Sequence, residues 1–245
     1  MSSLLSVTYW VVKAILTPLL YGLFKVKPEG REHVPASGPA ILASNHLSFS
    51  DSIFLPLVLK RRITFVAKAE YFDDPKTAWF FRAVGQIPIR RGGGSASQRA
   101  LDSAMEVLRD GGLFGIYPEG TRSPDGCLYK GHTGVARLAL QSGAPVIAVA
   151  MVGTREAQPI GQVKPNFFSP IGVRFSKPMR FDRYAERADD PRALRQITDE
   201  IMFELRALSG QDYVDRYAKR GAVVEEVGEA KVGTLPVGAP VGASV

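Results

Sequence analysis

A histidine and an aspartate stand five positions apart in the segment NHLSFSD, residues 45–51. If a loop lets the two side chains meet, the carboxylate of Asp51 would bond one ring nitrogen of His46 and stabilise the imidazolium. The other ring nitrogen would then be free to take a proton from a hydroxyl group or from water. The alternative is a polar loop histidine beside a helix-capping aspartate, because so short a pattern also occurs by accident.

The flanking residues predict how this segment is held. Apolar residues 38–43 before it predict a buried strand, and apolar residues 52–59 after it predict a helix. Ser48 followed three positions later by Asp51 matches a helix-capping signature. We therefore expect His46 in a strand-to-helix loop and Asp51 in the first helical turn, because residues five apart on one continuous helix point away from each other.

A second polar cluster, PEGTRS at residues 118–123, follows an apolar strand predicted at residues 113–117. The guanidinium of Arg122 can bind a phosphate or a carboxylate, and the ionised Glu119 can accept a hydrogen bond from a hydroxyl or pair with Arg122. In open α/β sheets, ligands bind at the carboxyl ends of the strands. The alternative is a turn with an internal Glu–Arg pair.

Further basic residues follow other predicted strands. Lys68 follows the strand predicted at residues 63–67, and Arg91 ends the strand predicted at residues 84–91, just before three glycines. Guanidinium groups beside a flexible glycine backbone suit a phosphate site, although most glycine runs are simple loops. His33 is expected on the surface, and His132, which has no acid nearby, is expected to be structural.

Strands and helices alternate along the chain, which predicts one α/β domain with a largely parallel, mixed sheet flanked by helices. Other predicted elements are a loop at 128–133, a helix at 134–142, a strand at 145–152 and a strand at 171–175. An amphipathic helix is predicted at 191–208, with the following buried positions: Leu194, Ile197, Ile201, Phe203, Leu205 and Leu208.

The composition limits the class of protein. The 245 residues include 31 basic and 24 acidic side chains, a net charge of +7, which suits anionic lipid headgroups, phosphorylated small molecules or nucleic acid. The basic residues are scattered and no recognition motif is present, so nucleic acid is not expected. A single cysteine excludes an internal disulfide framework, and three scattered histidines predict no metal site.

The two ends of the chain differ from the middle. Residues 4–24 are apolar, with a narrow polar stripe that contains Lys13, and Pro18 interrupts the run. We expect a helix that lies in a membrane interface; the alternative is an amphipathic helix docked on the protein's own core. The expected organisation is a membrane-associated helix and connector at 1–30, a catalytic domain at 31–215 and a disordered tail at 216–245.

Four segments together resemble the glycerolipid acyltransferases, and in particular the PlsC-like 1-acylglycerol-3-phosphate acyltransferases. NHLSFSD resembles the NHxxxxD box of that family, and YPEGTRS resembles its FPEGTRS box. VGQIPIRR, with Gly85, Ile87, Ile89 and Arg91, looks like the GxIFIDR box, and PVIAVAM, with Pro145, looks like the VPIVPV box. The departures are as follows: Pro88 for an aromatic residue, Arg90 for Asp, Tyr117 for Phe and Ala148 for the second Pro.

The resemblance implies a glycerol-3-phosphate acyltransferase-like αβ fold and transfer of an acyl group from acyl-CoA or acyl carrier protein to a lysolipid hydroxyl. His46 would be the general base and Asp51 its partner. The implied acceptor-binding residues are Lys68, Arg91, Glu119, Gly120, Thr121 and Arg122. The default acceptor is 1-acylglycerol 3-phosphate, which would give phosphatidic acid for phospholipid biosynthesis without a metal or redox cofactor.

Several alternatives stay open at this stage. The acceptor could be another lysolipid, glycerol phosphate or a glycolipid, and water as acceptor would make the protein a hydrolase. An inactive lipid-binding protein on the same fold is a further alternative. The expected location is the cytoplasmic face of a membrane, as a monotopic or peripheral protein beside anionic lipid, and the oligomeric state is left open.

Overall fold

The computed structural model describes residues 3–83, 86–89, 94–162 and 164–219. The helices are α1 (Ser3–Leu23), α2 (Asp51–Val58), α3 (Glu70–Asp73), α4 (Pro75–Ala83), α5 (Gly94–Arg109), α6 (Gly134–Ser142), α7 (Thr154–Ala157) and α8 (Pro191–Ser209). The strands are β1 (Lys25–Glu29), β2 (Ala40–Ser44), β3 (Ile63–Lys68), β4 (Ile87–Ile89), β5 (Leu113–Ile116), β6 (Leu128–Tyr129), β7 (Val146–Val152), β8 (Pro170–Phe175) and β9 (Tyr213–Val214).

Seven of these strands form one sheet in the order β1-β8-β7-β2-β5-β3-β4. Neighbouring strands are parallel except for the antiparallel pair β7 and β8. The predicted single α/β domain with a largely parallel, mixed sheet is therefore confirmed. Because β2 and β5 are parallel neighbours in its centre, the segments that follow them meet at one edge of the sheet.

Two hydrophobic cores cover the two faces of this sheet. In β2, Ile41 and Ala43 pack with α5, α6 and α8, whereas Ala40 and Leu42 pack with α1 and α2 on the other face. Side chains alternate between the faces of a strand, so a strand buried on both sides is apolar throughout. This explains why β2 and β7 are continuous apolar runs in the sequence.

Helix α1 docks on the protein through a face that combines its polar stripe with Leu16, Leu20 and Leu23, and its other, broad apolar side faces solvent. Tyr9 is buried, and the ammonium of Lys13 donates to the carbonyls of Pro56 (2.8 Å) and Leu59 near the C-terminal end of α2. Burial lowers the pKa of Lys13 to about 8, and the nearby positive charge of Arg31 adds to this effect. Among the described helices, none combines the length and apolar content needed to cross a bilayer.

Several details differ from the sequence-based prediction. The loop predicted at 128–133 contains β6, which pairs with β9. The sequence did not predict this strand because the pairing joins residues about 85 positions apart and leaves no local signal. Phe203, predicted to be buried, is 69% exposed on α8. Arg216 and Tyr217, which the prediction placed in a disordered tail, contact the domain: the Lys130 N–H donates to the carbonyl of Arg216 (3.1 Å) and the ring of Tyr217 stacks on His132. The remainder of the predicted tail, from residue 220, lies outside the described residues.

Candidate active site

The histidine loop and the PEGTRS loop touch each other directly at the carboxyl edge of the sheet. His46 lies two residues after β2, and residues 117–123 follow β5. The Ser123 N–H donates to the carbonyl of His46 (2.7 Å), which joins the two loops. The side-by-side packing of β2 and β5 therefore assembles a candidate site from segments more than 70 residues apart.

His46 and Asp51 form the pair that the spacing predicted. The Nδ1 atom of His46 lies 2.9 Å from Oδ2 of Asp51, whose side chain is fully buried. The same oxygen accepts the N–H groups of Leu47 (2.7 Å) and Ser48 (2.8 Å). Because an ionised carboxylate can only accept, Nδ1 carries the ring proton and the Nε2 lone pair is available as a base.

The predicted capping arrangement holds this loop. The assigned helix α2 begins at Asp51 after a turn at residues 49 and 50, and the Ser48 hydroxyl accepts from the Ser50 N–H (3.3 Å). The Asp51 carboxylate bonds back to the Ser48 N–H, which is one half of a capping box, whereas the Asp51 N–H donates to the Ser48 carbonyl (3.3 Å) rather than to its hydroxyl. Asp51 thus holds the start of α2 and the His46 ring at the same time.

A column of aromatic rings supports the imidazole. The ring of Tyr117 stacks on His46 with the two centroids 3.9 Å apart, and Phe65 stacks on the other side of Tyr117 at 5.5 Å. The Tyr117 hydroxyl forms a hydrogen bond with the Ser52 hydroxyl (2.9 Å), which ties the column to α2. A Cβ atom on Gly115 would lie 2.1 Å from the Phe65 ring, so only glycine leaves room for it.

Glu119 lies beneath the histidine loop and does not pair with Arg122. Its side chain is buried, and its two oxygens accept the N–H groups of His46 (3.1 Å) and Tyr129 (2.9 Å). Burial raises the pKa of Glu119 to about 8, although the two hydrogen bonds act in the opposite direction. Glu119 therefore joins the His46 loop to β6, which the sequence-based interpretation of it as a ligand-binding acid did not anticipate.

The rest of the PEGTRS loop turns the chain and presents a cation. Gly120 has a φ of 71° and closes a turn onto the Tyr117 carbonyl (3.0 Å), a backbone conformation that favours glycine. Thr121 and Arg122 are half-buried. The guanidinium of Arg122 makes no hydrogen bond or ion pair with any residue in the described part of the chain, so its donors are available to an anion.

The side chains of two predicted binding residues lie outside the described part of the chain. Lys68 ends β3, where it pairs with Ile89 of β4, but its side chain is outside the described residues, and Arg91 lies wholly outside them. In the described part of the chain, no group of three or more His, Cys, Asp or Glu side chains is arranged to hold a metal ion. The expectation that no metal or cofactor is needed stays a prediction.

Asn45 is a site residue whose role the sequence did not reveal. Its fully buried side-chain amide accepts the Met151 N–H (2.7 Å) and donates to the Met151 carbonyl (3.0 Å), which binds the end of β2 to β7. It also donates to the side chain of Gln211 (2.6 Å). A polar residue between a buried strand and a histidine was the available signal, but its partners lie 106 and 166 positions away.

The fold and the site together define an α/β protein in which a carboxylate-bonded histidine and a cationic loop meet at the carboxyl edge of the sheet. The sequence model of the Acyltransferase family matches residues 25–152, more than half of the chain. The protein belongs to this acyltransferase family. The matched range contains the His46 loop, the aromatic column and the PEGTRS loop.

Similar proteins carry names from one branch of this family. The chain is 32% identical over 154 residues to a chloroplastic 1-acyl-sn-glycerol-3-phosphate acyltransferase of Arabidopsis thaliana, which covers 62% of this chain and 43% of that protein. It is also 32% identical over 175 residues to a 1-acyl-sn-glycerol-3-phosphate acyltransferase of Limnanthes douglasii, covering 70% and 60%. The chain thus spans about half the length of the relatives it matches.

A solved structure has the same fold. The crystal structure of the 1-acyl-sn-glycerophosphate acyltransferase PlsC from Thermotoga maritima superposes with a TM-score of 0.60 and 26% sequence identity. The match covers 81% of this chain and 78% of that chain. The resemblance to PlsC-like enzymes seen in the sequence motifs therefore extends to the architecture of the domain.

Proposed function

We propose that the protein transfers a fatty acyl group from acyl-CoA or acyl carrier protein to the free hydroxyl of 1-acylglycerol 3-phosphate, which yields phosphatidic acid for phospholipid biosynthesis. The observation that carries this proposal is the His46–Asp51 pair, with Nδ1 held by a buried carboxylate in a loop that bonds the segment of Arg122 through the Ser123 N–H. The names of the similar proteins support the choice of acceptor.

In the proposed reaction, Nε2 of His46 takes the proton of the acceptor hydroxyl as its oxygen attacks the thioester carbonyl. The tetrahedral intermediate then collapses, the C–S bond breaks, and the leaving thiolate receives the proton from the imidazolium. Asp51 stabilises the positive ring between these two steps. No serine or cysteine nucleophile is needed, which agrees with the absence of a GxSxG motif from the sequence.

Arg122 is the proposed contact for the acceptor phosphate, with Lys68 and Arg91 as further candidates. A guanidinium binds a phosphate through two parallel N–H donors, and Arg122 has no competing protein partner among the described residues. Glu119 was expected to bind the acceptor, but its oxygens hold the backbone of His46 and Tyr129. Its proposed role is to position the base and the loop.

The proposed place of action is the cytoplasmic face of a membrane, where α1 lies in the interface as a peripheral or monotopic anchor. Its outward residues form an exposed apolar face that consists of Val7, Trp10, Val11, Ile15 and Leu19. An apolar helix face of this kind enters the boundary between headgroups and acyl chains. The net charge of +7 favours a leaflet that contains anionic lipid.

The test of the proposed reaction replaces the base. With labelled acyl-CoA and 1-acylglycerol 3-phosphate, His46→Ala should lower kcat/KM by a factor of about 10³ or more, because the acceptor hydroxyl loses its general base. His33→Ala, which removes a histidine outside the site, is the matched control and should keep the native rate. A folded His46→Ala protein with a near-native rate would refute the general-base role.

Product analysis in the same assay separates the alternatives. Diacyl product with release of free thiol supports acyl transfer, and free fatty acid in its place identifies a hydrolase. A wild-type protein that releases no thiol with any lysolipid would be an inactive lipid-binding member of the fold. Arg122→Gln should raise the acceptor KM about tenfold or more but leave the rate with an uncharged monoacylglycerol acceptor unchanged.

A further inference from the structure

Two exposed phenylalanines stand at the C-terminal end of α1 and take no part in the mechanism above. The side chains of Phe167 and Phe168 are 52% and 66% exposed. The Phe168 N–H donates to the carbonyl of Leu23, the last residue of α1 (2.7 Å), and the Phe167 ring packs on Phe24 with their centroids 5.8 Å apart. The pair is thus attached to the end of the helix while both rings remain accessible.

The backbone conformation that holds this pair outward is energetically unfavourable. Phe168 has a φ of 65° and is the one non-glycine residue with positive φ in the described part of the chain. A bulky side chain rarely adopts this conformation, and two exposed aromatic rings lose the stabilisation that burial would provide. A surface that buries both rings would offset these costs.

We infer that the Phe167–Phe168 pair inserts into a lipid surface and forms a second membrane contact beside the exposed apolar face of α1. This inference rests on the proposal that the enzyme works at a membrane. The hydrogen bond to Leu23 places the pair where that apolar face ends, so the two apolar surfaces adjoin. Aromatic side chains are favoured at the level of the lipid headgroups.

The charges around the pair match an anionic lipid surface. The Lys25 N–H donates to the Ser169 carbonyl (3.2 Å), so β1 begins directly beside the phenylalanines. Lys25 and Lys27 are exposed and lie on the same side of β1. Glu29 on that side lies at the far end of the strand, where Arg174 pairs with it (3.4 Å). The end nearest the pair is therefore positively charged, which attracts phosphate headgroups.

A second contact would set the orientation of the active site. A single helix in the interface can roll about its axis, whereas a helix and an adjoining aromatic pair cannot. The segment with the pair is also linked to the histidine loop, because the Asn166 N–H donates to the Ala157 carbonyl (2.7 Å) and the Ser48 hydroxyl donates to the adjacent Gln158 carbonyl (2.8 Å). Binding of the pair would hold the His46 loop at a defined height above the lipid.

The experiment measures binding of the full chain to vesicles by co-sedimentation. The double variant Phe167→Ser, Phe168→Asn removes both rings, and asparagine tolerates the left-handed backbone at position 168. It should bind vesicles of phosphatidylcholine and phosphatidylglycerol about tenfold or more weakly. Phe203→Ser, which removes from α8 a ring about as exposed as that of Phe168 (69% against 66%), is the matched control and should bind like the wild type.

Two further variants test the aromatic ring and the neighbouring positive charge separately. Phe168→Trp keeps an aromatic ring at the headgroup level and should retain binding. Lys25→Gln should weaken binding to vesicles with phosphatidylglycerol by about fivefold but leave binding to pure phosphatidylcholine unchanged. Wild-type binding by the double variant would overturn the inference. A change in the molar mass of the double variant in solution would also overturn it, because the pair would then join two copies of the chain.

The rate with short-chain donor and acceptor, without vesicles, separates this inference from the proposed function. The double variant should transfer acyl groups from these soluble substrates at the wild-type rate. If the wild type binds vesicles through the pair but transfers nothing, the proposed function fails and the membrane contact stands. If it transfers acyl groups while the double variant still binds vesicles normally, the membrane contact fails and the proposed function stands.

Discussion

Tyr117 connects the imidazole of His46 to helix α2 through one hydroxyl group. Its ring stacks on His46 and its hydroxyl bonds Ser52, one residue after Asp51. The PlsC-like pattern has phenylalanine at this position, which can stack but cannot form the hydrogen bond. The tyrosine therefore links the stacked face of the His46 ring to α2, the helix that carries the carboxylate of Asp51.

Replacement of this tyrosine tests the connection. Tyr117→Phe should lower kcat about three- to tenfold with little change in KM, because it removes one hydrogen bond and keeps the stack. Ser52→Ala should have the same effect, and the double variant should be no worse than either single variant. Additive losses in this double-mutant cycle would show that the two hydroxyls act separately.

The raised pKa of Glu119 predicts that the stability of the protein depends on pH. Its folded-state pKa of about 8 lies above its ordinary value of 4.5, so between these values the folded protein holds a proton that the unfolded chain has released. Stability should therefore fall as pH rises from about 4.5 to 8, by up to about 5 kcal/mol. In denaturant unfolding, Glu119→Gln should lack this slope; an unchanged slope would assign the pH dependence to another group.

At the scale of elements, α1 has the reverse of the usual arrangement for a helix on a soluble domain. Its buried side carries Lys13, which bonds carbonyls near the end of α2, beside Leu16, Leu20 and Leu23, whereas most of its other apolar residues face outward. A cation at the C-terminal end of a helix also interacts favourably with the helix dipole. Lys13, the one charged residue of the apolar segment 4–24, is therefore a docking contact of the helix.

This contact can be removed without a change in the outer face. Lys13→Met keeps the apolar stem and loses the hydrogen bonds to α2, so amide exchange in α1 should be about tenfold faster while exchange in β2 and β7 is unchanged. Thr17→Ala is the control, because the Thr17 hydroxyl bonds only within α1, to the Lys13 carbonyl (2.7 Å). Equal exchange in both variants would show that apolar packing alone docks the helix.

At the scale of the whole molecule, the segment after α8 returns to the active site. Gln211 receives a hydrogen bond from Asn45 and donates one to the Gly126 carbonyl (2.6 Å). Strand β9 then pairs with β6, and Tyr217 stacks on His132 beside the PEGTRS loop. The segment after α8 thus joins the end of β2 to the part of the chain that follows the PEGTRS loop.

Truncations test this arrangement. A chain that ends after Lys219 keeps all of these contacts and should retain the native unfolding free energy and acyl-transfer rate. A chain that ends after Ser209 loses several buried hydrogen bonds at once and should be destabilised by about 3 kcal/mol or more, with a lower rate. Equal stability of the two truncated chains would show that this segment does not support the site.

Patterns among residues close in the sequence were sufficient to predict much of this protein's secondary structure. Apolar runs of strand and helix length predicted the order of the elements, and the capping signature placed His46 in a loop ahead of Asp51. These predictions succeeded because periodicity and capping depend on residues that are close in the sequence, and His46 and Asp51 are only five positions apart. The motif order then indicated the family that the comparisons confirm.

The tertiary structure alone decided the roles of residues whose partners are distant in the sequence. Glu119 binds the backbone of His46 from 73 positions away, and Lys13 reaches α2 across 43 positions. An acid in a polar loop and a lysine in an apolar segment carry no sign of these partners. Only the packing of β5 beside β2, and of α1 on α2, buries these polar groups and so determines which oxygen or N–H each one must bind.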